Sequence, residues 1–91
     1  MTGRPHDIEA SESRDFVTAF ARGLAVIEAF GPENRTMTLA EVAARTGVDR
    51  AVARRLLLTL VELGFAHVHQ RRFELTTRVL RLAYSFLSSA G

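Results

Sequence analysis

Residues 38–64 read TLAEVAARTGVDRAVARRLLLTLVELG, and this stretch decides the fold. It opens on Thr38-Leu39-Ala40-Glu41, the spacing of a capping box. The Thr hydroxyl accepts one free backbone N–H of the first helical turn, and the Glu carboxylate reaches back to the N–H of the capping residue. Leu39, Val42, Ala43 and Thr46 then fall on one face of a short helix. Gly47 ends it, since glycine takes up the left-handed geometry just beyond a helix end without steric cost. Val48 alone separates that glycine from a second cap, Asp49. A longer helix runs from Arg50 to about Leu63, and Gly64 stops it. A short helix, a tight glycine turn and a longer helix make a helix-turn-helix.

On the N-terminal side, Phe20, Leu24, Ile27 and Phe30 keep the spacing of one helix face, between Thr18 as N-cap and a stop at Gly31-Pro32. Residues 31–35, Gly-Pro-Glu-Asn-Arg, form a surface loop. On the C-terminal side the period changes. Residues 65–68 and 72–75 alternate as short strands joined by His69-Gln70-Arg71, the pattern of a β-hairpin. Those joining residues include no Gly, Asn or Asp, which leaves the turn type open. Thr76 or Thr77 then begins a last helix, Arg78 to about Ser88. Residues 1–14 are polar and unpatterned, as in a mobile tail. The expected fold is mainly α with a small β-hairpin: a winged helix-turn-helix over residues 15–76, followed by a helix over 77–91.

Composition narrows the function. The 91 residues suit one domain, and 47% hydrophobic with 24% charged residues suits a folded core. There is no cysteine, hence no disulfide, thiol nucleophile or cysteine-bound metal. No apolar run approaches the roughly 18 residues of a membrane span, and no secretory signal opens the chain, so a cytoplasmic protein is expected. All 12 basic residues are arginine. The net charge of +2 hides an asymmetry: residues 1–34 are acidic on balance, whereas residues 35–91 carry nine arginines against four acids. A basic stretch built around a helix-turn-helix favours a polyanionic partner.

On a helical wheel Val52, Ala53, Leu56, Leu60 and Leu63 point to the core. Ala51 and Arg54 point away from it, with Arg50 and Arg55 on the flanks. Surface ion pairs to Asp49 or Glu62 would be the bland account of these arginines, worth about 0–1 kcal/mol each. Cations near a helix N-terminus oppose the macrodipole, however, so stability gives no reason to place them there. Entry of this helix end into a DNA major groove does: arginine reads guanine bidentately, and alanine leaves room for a thymine methyl. Arg71 and Arg72 at the hairpin tip are placed for phosphates or the minor groove edge, and Thr38 is a candidate phosphate donor beside its capping role.

His67 and His69 alternate on one strand with only His6 elsewhere, too few for a metal site. No nucleophile triad or glycine-rich phosphate loop is present. Neither enzyme nor cofactor is expected. On the last helix Val79, Leu82 and Phe86 form one apolar line, and Leu80, Ala83 and Leu87 the adjacent one. A domain this small cannot readily bury both, so Val79, Leu82, Ala83, Phe86 and Leu87 are expected at a homodimer interface. The rival account is a winged helix used for protein contact or dimerisation without DNA.

The segments FARGLAVIEAFG, TLAEVAARTGVDRAVARRLLLTLVELGF and RRFELTTRVLRLAYSFLSS together resemble the N-terminal domain of the IclR family of bacterial transcriptional regulators. They look most like the branch that controls aromatic acid catabolism through the β-ketoadipate pathway. The resemblance implies a dimeric repressor or activator on a palindromic operator in double-stranded DNA, with Arg50, Ala51, Arg54 and Arg55 on the recognition helix. It also implies that the last helix is a linker toward a C-terminal domain for a small-molecule effector, outside these residues. Two positions depart from the pattern: the wing turn lacks a glycine, and Thr77 stands where proline is frequent.

Overall fold

The computed structural model describes residues 14–90, so the tail expected over residues 1–14 lies outside it except for Arg14. Among the described residues the architecture is a winged helix-turn-helix with a further C-terminal helix. Its helices are α1 (Thr18–Ala29), α2 (Leu39–Thr46), α3 (Arg50–Leu63) and α4 (Val79–Ala90). Its strands are β1 (Thr36–Thr38), β2 (Ala66–His69) and β3 (Arg72–Leu75).

The helix-turn-helix follows its local chemistry. The capping box is complete: Glu41 N–H donates to Thr38 Oγ1 at 3.2 Å, and Thr38 N–H to Glu41 Oε1 at 2.9 Å. Gly47 and Gly64 close α2 and α3 at φ 76° and 89°, in the left-handed region. Asp49 caps α3 by accepting the Ala51 N–H at 3.1 Å. Between the helices, the buried Thr46 hydroxyl donates to Val42 O at 2.8 Å and accepts from Val48 N–H at 3.1 Å. That hydroxyl satisfies the turn from inside, which allows Val48 to bury beside Ala43 and Ala53.

Three expectations are corrected. First, α1 begins at Thr18 rather than after it; Val17 stands at the N-cap with no side-chain bond. Of its expected face, Ile27 and Phe30 pack against the core, but Phe20 and Leu24 do not. Ala25 and Val26 are buried, whereas Phe20 is 68% and Leu24 44% exposed. The close approach is made by small residues, Gly23 against Leu56 among them, and the larger residues of the first turns run past the edge of the core. Second, α3 buries Ala53, Leu57 and Leu60, with Leu56 and Val52 half-buried and Leu63 56% exposed. The stripe that fits steps by four and three residues and reaches Gly64, which leaves Leu63 to one side.

Third, the expected hairpin of β2 and β3 is present but is widened by a further strand. The loop after Gly31 continues into β1, which pairs with β3 as Thr36↔Glu74, Met37↔Phe73 and Thr38↔Arg72. With β2 on the other side, the antiparallel order is β1-β3-β2. Met37 and Phe73 point inward and join Val26, Val42, Leu57, Leu60 and Ala66 in one core. Asn34 sets the entry to β1, its side-chain N–H donating to Ala29 O and to Met37 Sδ. Because His69 pairs with Arg72, the wing turn shrinks to Gln70-Arg71. Both have positive φ, 51° and 68°, the pattern of a type I′ turn whose twist suits a hairpin. After Thr76 the chain turns into α4, whose residues 80–89 are all exposed.

Candidate nucleic-acid interface

The start of α3 projects Arg50, Ala51, Arg54 and Arg55 to solvent. A cleft of about 750 Å³ opens between this helix and the wing. Thr38, Leu39 and Ala40, at the N-terminus of α2, line one end of it; Arg50, Arg54 and Leu58 supply the α3 wall, and Val68, Arg71 and Phe73 the wing wall. Thr38, Arg50, Arg54 and Arg71, from a strand, a helix and a turn, therefore meet on one concave surface. Two of the four depend on strand pairing, one distant in sequence and one local. The β1–β3 ladder fixes Thr38, and the positive-φ turn at residues 70–71 aims Arg71.

The electrostatics of this surface are one-sided. Among the described residues, no ion pair engages Arg50, Arg54, Arg55 or Arg71. The bland account fails at Asp49, whose carboxylate accepts the Ala51 N–H rather than an arginine. Three arginines thus stand near the positive end of the α3 dipole without a neutralising carboxylate. Arg50, in the first turn, opposes the dipole at a cost of about 0.3–1 kcal/mol, and with Arg54 and Arg55 one turn further on the helix end favours an anion.

The remaining candidates lie elsewhere. Ala51 and Arg55 are exposed on α3 but do not line the cleft. Arg72 alternates away from the buried Phe73 and sits on the outer face of the sheet. Its Nε donates to Thr36 Oγ1 at 2.9 Å, and one Nη donates to Thr36 O at 3.0 Å and to Glu41 Oε1 at 3.3 Å. Arg71 and Arg72, adjacent in sequence, are thereby separated in role: the first faces the cleft, and the second ties the wing to the cap of α2.

Two cleft residues escaped the sequence reading. Leu58 and Val68 are 38% and 43% exposed, apolar patches among the arginines. The run Leu56-Leu57-Leu58 signalled Leu58, because one helix face cannot bury three consecutive leucines. Val68 required the strand register. On the outer face of the sheet, His67 Nε2 lies 3.3 Å from Glu74 Oε1, and Arg35 holds the other carboxylate oxygen at 3.1 Å. Among the described residues no group of acids and histidines is placed to hold a metal, and His6 lies outside them.

The dimer candidates share one helix. Val79 is half-buried where α4 starts, while Leu82, Ala83, Phe86 and Leu87 are exposed, Phe86 at 69%. No helix among the described residues is long and apolar enough to cross a membrane.

Residues 19–69 match the IclR helix-turn-helix domain, across both motif helices and into the wing. The chain belongs to the IclR family. Its described residues carry that family's helix-turn-helix on a winged-helix fold. The IclR chain is 44% identical over 86 residues to the p-hydroxybenzoate hydroxylase transcriptional activator of Acinetobacter baylyi, covering 94% of this chain and 32% of that protein. It is 47% identical over 75 residues to the Pca regulon regulatory protein of Pseudomonas putida, covering 82% of this chain and 26% of that one. The crystal structure of an IclR family transcriptional regulator from Brucella abortus superposes with a TM-score of 0.84 at 38% identity, covering 97% of this chain and 34% of that one. This IclR chain therefore spans about a third or less of its relatives' length.

Proposed function

We propose that this IclR domain binds a palindromic operator in double-stranded DNA as a homodimer and regulates genes of aromatic acid catabolism. The observation that carries the proposal is the cleft in which Thr38, Arg50, Arg54 and Arg71 converge without carboxylate partners. Arg50 and Arg54 read base edges from the first turns of α3, and Ala51 admits a thymine methyl beside them. Arg55 and Arg71 hold phosphates on either side, while the Thr38 hydroxyl and the N-terminus of α2 receive another. Arg72 adds its charge at the wing and steadies Glu41, the residue that completes the α2 cap.

The dimer forms through Val79, Leu82, Ala83, Phe86 and Leu87 of α4, all but the half-buried Val79 exposed in the single chain. Such a two-fold dimer places two copies of α3 at half-sites about one DNA turn apart or a multiple of it. In this proposal residues 15–76 are the DNA-binding unit and residues 77–91 lead toward a separate domain for a small-molecule effector. The relatives named for p-hydroxybenzoate hydroxylase and the Pca regulon support aromatic acid catabolism as the regulated chemistry. The protein acts in the cytoplasm, by binding and not by catalysis. Selection from random duplex DNA tests the proposal: it predicts an enriched palindrome, and enrichment of no sequence would refute it.

A further inference from the structure

The recognition helix ends and the last helix begins at one shared joint. α3 closes in a Schellman motif, with Gly64 N–H donating to Val61 O at 3.0 Å and Phe65 N–H to Leu60 O at 2.8 Å. The two residues that follow α3 are then gripped by those that lead into α4. Thr76 Oγ1 donates to Gly64 O at 2.6 Å, and Thr76 N–H donates to Phe65 O at 2.8 Å. The same hydroxyl accepts the Arg78 N–H at 3.2 Å. The Arg78 guanidinium lies over the Phe65 ring, 5.2 Å from its centroid, within cation–π range. The Arg78 stem passes so close to Gly64 that an added Cβ would meet its Cδ at 3.5 Å.

This set of contacts ties the direction of α4 to the end of α3. Neither Thr76 nor Arg78 belongs to the buried core, and residues 80–89 of α4 are exposed throughout. We propose that Thr76 and Arg78 are positioning residues for DNA recognition: they lock α4 to the C-terminal end of α3 and thereby set the distance between the two recognition helices of a dimer. The proposal rests on the reading of α4 as the dimer helix. The lever is long enough to matter. A helix of 12 residues spans about 18 Å, so a swing of about 20° at the joint moves its far end by about 6 Å, close to two base-pair steps.

The test steps the separation of two selected half-sites one base pair at a time and measures the affinity of the 91-residue chain at each. Thr76→Val and Arg78→Met break the joint, and Thr76→Ser and Arg78→Lys restore the hydroxyl and the cation. A single half-site and a thermal melt accompany each variant. The wild type shows a sharp optimum in spacing. Thr76→Val and Arg78→Met lower the discrimination between that optimum and a site two base pairs longer by about fivefold or more, with half-site affinity unchanged. The Ser and Lys variants recover it. An unchanged optimum in folded Arg78→Met and Thr76→Val would overturn the joint while leaving the dimer intact. If Thr76→Val fails to fold, Arg78→Met decides alone. A wild type that fills the two half-sites independently at every spacing would remove the dimer reading and the joint with it.

Discussion

Leu57 and Leu63 offer a direct test of which face of α3 is buried. Leu57 is fully buried among Val26, Met37, Val42, Leu60 and Phe73, whereas Leu63, on the same helix, is 56% exposed. Truncating Leu57 to Ala removes three carbons from the core, about 2.4 kcal/mol of transfer free energy at about 0.8 kcal/mol each. The cavity left behind raises the loss to about 3–4 kcal/mol. A domain of this size holds about 4–11 kcal/mol in total, so Leu57→Ala consumes a large part of it. Leu63→Ala leaves no cavity, loses less than half the transfer term and gains slightly in helix propensity, for a net cost below about 1 kcal/mol. Urea unfolding followed by far-ultraviolet circular dichroism separates the two. With a slope near 1 kcal/mol per molar, the Leu57→Ala midpoint falls by about 3 M or the protein is unfolded at the outset, and Leu63→Ala shifts it by less than about 1 M. Equal losses, or a larger loss at Leu63, would refute this packing of α3.

Further outcomes follow from the caps, the cleft and the last helix. Thr38→Ala removes the capping box and destabilises the domain by about 1 kcal/mol in the same melt, while Thr38→Ser recovers most of it; a neutral Thr38→Ala would contradict the cap. Arg72→Ala frees Thr36 and Glu41 and costs roughly 1 kcal/mol in stability, since its bonds are exposed; no loss would mean that they do not hold the wing. Phe86→Asp places a charge on the proposed dimer face, and analytical ultracentrifugation should find the chain monomeric where the wild type is dimeric. An unchanged sedimentation profile would remove Phe86 from the interface.

What was legible in the sequence is what local chemistry dictates. Thr38 and Glu41, Gly47, Asp49 and Gly64 each satisfy backbone groups within a turn of themselves, so the helix-turn-helix could be placed to the residue. The wheel likewise put Arg50 and Arg54 on the outer surface. The third strand was hidden because β1 has only three residues, ends at the cap of α2 and finds its partner more than 30 residues along the chain. The wing turn was hidden for a related reason. Gln70 and Arg71 carry no preference for positive φ, and the His69↔Arg72 register imposes it on them. On α1, large apolar residues suggested the buried face, yet Gly23, Ala25 and Val26 make the close packing. The division between Arg71 in the cleft and Arg72 on the outer sheet face also depends on strand register, which the alternation of residues 72–75 alone could not fix.

The most direct measurement of the central claim is the affinity of the chain for its selected operator and for a scrambled duplex, with and without Arg54→Ala, near 0.15 M salt. The wild type should prefer the operator, and Arg54→Ala should lose about 1–3 kcal/mol on the operator while binding the scrambled duplex nearly as before. Equal losses on both duplexes would make Arg54 a phosphate contact, and no loss on either would contradict recognition by the start of α3.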